Sequence, residues 1–143
     1  MKPKYMLDTN ICIYLMKHQP IEVAERFAQC FVGDVVISSI TLAELAYGVV
    51  CSGDAEPSNR AALGSFLQDV PVVPFEADAA KAYGPARFAT RERKFATRER
   101  KRDALDKLIA AHATALGAVL VTNNEADFSA YPGLRVENWV DRH

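Results

Sequence analysis

The sequence predicts an α/β fold, a three-layer α/β/α sandwich around a central, mostly parallel sheet. Short apolar or β-branched runs at 4–7, 35–38, 70–74 and 118–122 alternate with longer stretches at helical spacing, the order that builds parallel strands with crossover helices. The clearest of these runs are apolar throughout, as strands covered on both faces must be. A chain of 143 residues, 50% hydrophobic, is enough for one core of ordinary size, so a single domain over 1–143 is expected.

The first run stops at Asp8, followed by the small polar pair Thr9 and Asn10. In an open parallel sheet the carboxyl edge of the strands is where ligands bind, because helices leave from it with their N-termini facing the crevice. Residues 11–16 read as a short helix stopped before Pro20. Residues 21–31 carry Ile21, Ala24, Phe27 and Ala28 at helical spacing, closed by Gly33 and Asp34. A buried strand at 35–38 is followed by a helix over 39–51, with Leu42, Leu45, Ala46 and Val49 on one face. A polar loop is expected over 52–59, then a helix over 60–69 with Leu63, Phe66 and Leu67 turned inward. Residues 70–74 read as a short strand whose Pro71 and Pro74 favour an edge position or the ends of the strand. Helix resumes near Glu76 and is expected to break or kink at Gly84-Pro85. A long helix over 103–116 ends at Gly117, a strong strand comes next at 118–122, and 134–136 adds one more.

Composition narrows the function classes. No apolar run approaches the roughly 18 residues of a membrane span, and the N-terminus leads straight into a strand, so a cytoplasmic protein away from the membrane is expected. Cys12, Cys30 and Cys51 are odd in number and show no CxxC spacing, which predicts buried, reduced thiols.

Charge is unevenly distributed. The net charge is −1, yet residues 88–102 hold seven basic side chains against Glu92 and Glu99, or +5, leaving −6 for the rest. Arg91, Arg93, Lys94, Arg98, Arg100, Lys101 and Arg102 are therefore candidates for holding a polyanion. The competing reading is a solvated helix face laced by Arg–Glu pairs. This segment also holds an internal repeat, Phe-Ala-Thr-Arg-Glu-Arg-Lys at 88–94 and again at 95–101. Seven residues inserted in a helix rotate the downstream chain by only about 20° while adding about 10 Å. The extra copy should bulge outward or extend a helix, with Asp106 still at the sheet edge.

Acids recur where strands end or helices begin: Asp8, Glu44, Asp106, and the turn from Asn124 to Asp127. Each has a plain reading as a cap. Thr41-x-x-Glu44 has the form of a capping box, and Asp103 with Asp106 repeats the spacing. Gathered at one sheet edge, three carboxylates repel one another unless they bind a cation. Oxygen-only ligands suit Mg²⁺ or Mn²⁺, and the chemistry such a site supports is displacement at phosphorus.

The ordered set Met6-Leu7-Asp8-Thr9-Asn10, the stretch from Ile37 to Gly48, Leu105-Asp106-Lys107-Leu108-Ile109-Ala110-Ala111-His112-Ala113, Val121-Thr122-Asn123-Asn124 and Phe128 resembles the PIN-domain ribonucleases. The segment from Gly133 to Trp139 is similar in particular to the VapC toxins of toxin–antitoxin pairs. The resemblance covers nearly the whole chain. It implies a PIN-like sandwich, a metal-dependent endoribonuclease acting on structured RNA such as tRNA or rRNA, and Asp8, Glu44 and Asp106 as ligands of Mg²⁺ or Mn²⁺. It further implies a homodimer and a cognate VapB-type antitoxin lying across the groove. The family's fourth polar position falls on Asn124, which is neutral here, with Asp127 as compensating acid or cap. Thr9 and Thr122, with Asn10, would support the carboxylates or water. The doubled heptapeptide is a departure from the family's shorter connection.

Two other classes remain. An Asp8-based phosphatase would need a partner acid where Asn10 stands, and a non-catalytic RNA- or partner-binding scaffold would use the acids only as caps. His112 shares a stripe with Leu105, Leu108 and Ile109 and reads as a core or interface histidine; Trp139 and Tyr131 read as packing residues.

Overall fold

A computed structural model of the chain describes residues 2–91 and 100–140, with backbone alone over 100–103. The strands are β1 (Tyr5–Leu7), β2 (Val35–Ser38), β3 (Val72–Val73), β4 (Val119–Val121) and β5 (Val136–Glu137), in a five-stranded sheet ordered β3-β2-β1-β4-β5. Every pairing is parallel, and Tyr5 registers against Val35 on one side and Val119 on the other. From β1 the chain builds the sheet outward through β2 to β3, then returns to the other side of β1 for β4 and β5. Strand order therefore switches at β1 and β4, and a crevice opens outside their carboxyl ends.

Successive strand residues feed opposite cores, as the pleat requires. Leu7, Val35, Ile37 and Val121 pack with Ile11, Val23, Leu45 and Phe66 from α1 (Thr9–Lys17), α2 (Ile21–Ala28), α3 (Ser39–Val50) and α4 (Glu56–Asp69). Met6, Val36 and Leu120 pack with Ala86, Ile109, Ala113 and Phe128 from α5 (Ala77–Ala89), α6 (Arg100–Leu116) and α7 (Glu125–Phe128). These two helical layers around one sheet are the α/β/α sandwich that the alternation of runs predicts. No described helix is long and apolar enough to cross a membrane.

Several expectations are corrected. The polar stretch 52–59 is a 3-10 turn at Gly53–Ala55 leading into the first turn of α4, where Pro57 at a helix start needs no amide partner. No break occurs at Gly84-Pro85: α5 runs through Pro85. A proline there costs about 3 kcal/mol of helix stability, and packing of α5 along α6 offsets it. Cys12 is buried, but Cys30 is only half-buried and Cys51 is exposed, because α3 ends at Val50 with Cys51 on its solvent side. β3 is shorter than expected, with pairing confined to the two valines between the prolines, and it lies at the sheet edge as those prolines require. The first copy of the repeat begins in the last turn of α5, and the second reaches the first residues of α6.

Candidate functional site

Asp8 is the residue on which β1 becomes α1. Its amide donates to the Val121 carbonyl at 3.0 Å, joining the ends of β1 and β4. Its Oδ1 accepts the Ile11 amide at 3.0 Å, so Asp8 is the N-cap of α1. A carboxylate has about four lone-pair sites, so capping does not exhaust it. The capping and ligand readings are compatible at this residue.

At Glu44 they are not. α3 begins at Ser39 on an N-cap of Ser38, whose Oγ accepts the Ile40 amide at 3.0 Å. The expected capping box at Thr41 is therefore corrected. Thr41 lies inside the helix, fully buried, with no hydrogen-bond partner for its hydroxyl. Glu44 instead accepts a 2.7 Å hydrogen bond from the Thr9 hydroxyl, across 35 positions of sequence. Asp106 is not a cap either, since α6 starts at Arg100 and Asp106 is already in its second turn.

The β4–α7 turn closes the edge. Thr122 is fully buried, and its Oγ1 accepts the Asn124 amide at 2.9 Å, so it shapes the turn rather than touching the acids. Asn124 holds the N-cap position of α7 without making a cap bond, and donates instead to Asp127 Oδ2 at 2.6 Å. Asn138 ties this turn to the chain after β5 by donating to Asn123 Oδ1 at 3.1 Å.

Asp8, Thr9, Asn10, Glu44, Asp106, Asn124 and Asp127 all line one cleft of about 710 Å³. Its walls are Ile13, Ile40, Tyr47, Leu105 and Phe128, with Ala43 and Gly48. Apolar walls lower the local dielectric and strengthen every charge inside. Behind the cleft, burial pushes the Cys12 thiol well above its usual value, and the charges of Asp8 and Glu44 push it further. Two carboxylates thus direct their fields at one region.

The donor set, carboxylates with amide and hydroxyl oxygens, fits a hard divalent cation in its chemistry. Its spacing is wider than one coordination sphere. Among the described residues no three His, Cys, Asp or Glu side chains stand close enough together to share one ion. The acids surround the cleft and do not meet at a point.

Of the basic residues from Arg91 to Arg102, Arg91 is the one described with its side chain, and it is not among the residues lining the cleft. Arg91 is exposed just beyond α5, donating to the Phe88 carbonyl at 2.7 Å with its guanidinium 3.8 Å over the Phe88 ring. Arg93, Lys94 and Arg98 lie outside the described residues, as do the side chains of Arg100, Lys101 and Arg102. His112 is buried with Nδ1 2.8 Å from Ser38 Oγ, and Tyr131 and Trp139 are buried too, in line with packing roles. The sequence reading missed the apolar wall, whose signal was the pair Ile13 and Tyr47 one turn beyond their acids. It also missed Ser38, whose signal was a hydroxyl between a strand and a helix.

Fold and cleft define a class: a parallel α/β/α domain with an acidic pocket at the strand-order switch. The family model for the PIN domain matches residues 5–134. The tRNA(fMet)-specific endonuclease VapC of Shigella flexneri is 40% identical over 136 residues, covering 95% of this chain and 98% of that protein. Ribonuclease VapC2 of Haemophilus influenzae (strain Rd) is 39% identical over 137 residues, covering 96% and 98%. Among solved structures, VapBC2 from Rickettsia felis bound to a DNA fragment from its promoter matches with a TM-score of 0.81 and 35% identity, covering 95% of this chain and 98% of that one. The chain belongs to the PIN-domain family, in its VapC ribonuclease branch.

Proposed function

We propose that this chain is a metal-dependent endoribonuclease toxin that hydrolyses structured RNA, tRNA foremost, with Asp8, Glu44 and Asp106 as the carboxylates that would hold Mg²⁺ or Mn²⁺. They would do so in part through the water such ions keep, since no three acids among the described residues reach one ion directly. The observation that carries the reading is a single one: three acids far apart in sequence line one cleft at the strand-order switch. A divalent ion bound there supplies a lowered water pKa and charge stabilisation at phosphorus. The chain's own residues do the rest. Thr9 orients Glu44, and the Ile11 amide fixes Asp8. Asn124 and Asp127 form a hydrogen-bonded pair at the mouth, suited to hold water or a ribose hydroxyl. The basic stretch from Arg91 to Arg102 contributes affinity for the phosphate backbone.

The relatives support the remaining assignments. A relative named for its action on tRNA(fMet) favours tRNA as substrate, and a neighbour solved as VapBC favours control by a VapB-type antitoxin. A homodimeric, cytoplasmic protein, one domain over 1–143, completes the proposal. The test is cleavage of tRNA by purified protein: it should require Mg²⁺ or Mn²⁺, stop with a chelator, and vanish in Asp106→Asn. Cleavage that survives both the chelator and that substitution would sink the assignment.

A further inference from the structure

Ser38 and His112 join the two elements that bear Glu44 and Asp106. Ser38 sits at the β2–α3 junction, six positions before Glu44, and His112 lies on α6, six positions after Asp106. At the helical rise of 1.5 Å, each carboxylate stands about 9 Å along its own helix from the tie. His112 Nδ1 is 2.8 Å from Ser38 Oγ, and both residues are buried. Ser38 Oγ accepts the Ile40 amide at 3.0 Å and keeps both a proton and a second lone pair, so it pairs with Nδ1 in either imidazole tautomer. Phe75, just beyond β3, meets the ring edge-on at 5.4 Å, and its amide donates to Ser39 Oγ at 3.0 Å. Three segments therefore meet around the buried Ser38–His112 contact.

A buried imidazole costs desolvation that an apolar ring of similar size would not. Its retention here is explained if a directed bond is needed, since contact alone would let α6 slide or turn against α3. We infer that His112 is a positioning residue, setting through Ser38 the separation of Asp106 from Glu44 across the cleft. The inference rests on the metal reading of that cleft. It assigns His112 no contact with substrate.

The test is Mn²⁺ affinity by titration calorimetry on the metal-free protein, read beside kcat and KM for tRNA cleavage. His112→Leu keeps the bulk and breaks the bond; His112→Asn returns an acceptor oxygen near the place of Nδ1. Loss of a partner that positions the ligand-bearing helices predicts about tenfold weaker Mn²⁺ binding for His112→Leu, with kcat falling in parallel and KM nearly unchanged. His112→Asn should recover most of the affinity. Ser38→Ala should weaken binding at least as much as His112→Leu, since it also removes the α3 cap, and the double variant should lose no more than Ser38→Ala alone. Folded variants that bind Mn²⁺ like the parent overturn the inference, as does an Asn variant no better than Leu. Should His112→Leu not fold, His112→Met takes its place, since the bond requires His112→Asn to bind Mn²⁺ more tightly than His112→Met. A parent protein that binds no Mn²⁺ overturns the metal reading itself and the tie with it, an outcome distinct from a parent that binds and variants that do not differ.

Discussion

Replacing Thr9 with valine removes one hydroxyl and almost nothing else. Valine is β-branched and near in shape, so the first turn of α1 and its fit against α3 are kept. What is lost is the 2.7 Å bond to Glu44 Oε1, a bond to an ionised acceptor in a half-buried setting. Hydrogen bonds to charged groups contribute about 1.5–3 kcal/mol. Partial exposure puts this one at the lower end, and about 1.5 kcal/mol is roughly tenfold in an equilibrium constant. The bond is present without the ion, so Thr9→Val should lower the melting midpoint by several degrees and, by freeing Glu44, weaken Mn²⁺ binding and slow tRNA cleavage up to about tenfold. The assay is a Mn²⁺ titration of cleavage beside a thermal melt. Unchanged Mn²⁺ dependence and rate in a folded Thr9→Val protein would refute the reasoning that Thr9 orients Glu44 for the ion.

The same geometry sets three further outcomes. Asp8→Asn should separate stability from activity: asparagine still caps α1, so the urea midpoint should hold nearly constant while cleavage falls by orders of magnitude; unchanged cleavage in this variant would show that the cap is the main role of Asp8. His112 is held below its usual pKa by burial, with Asp78 pulling the other way. The unfolded chain therefore takes up a proton below about pH 6.5 that the native protein resists, and stability should fall as pH drops through that region. His112→Asn should flatten that part of the pH–stability curve, which melting scans between pH 7.5 and 5 would reveal. Deleting 95–101 removes one copy of the repeat, which falls after the end of α5 and reaches only the first two residues of α6, so the rest of α6 with Asp106 is left in place. Asp106 should keep its place and the protein its cleavage activity; an inactive but folded deletion would mean that both copies are needed.

The sequence by itself determined the layer order, because β-branched runs between helical periods leave the backbone few ways to bury both faces of each strand. It also determined which acids are candidates, since Asp8 and Glu44 come only a few residues after strands. The tertiary structure decided the rest. Whether Glu44 capped its own helix or faced Asp8 depended on where α3 starts, and Ser38 rather than Thr41 took the cap. That choice is local hydrogen-bond competition between neighbouring hydroxyls, which a spacing rule does not resolve. The helix through Pro85 was decided by packing of α5 on α6, a tertiary term larger than the local preference it overrides. The tie between Ser38 and His112 spans 74 positions, and no period in the sequence signals a contact of that range; it exists because β2 and α6 meet across the sheet.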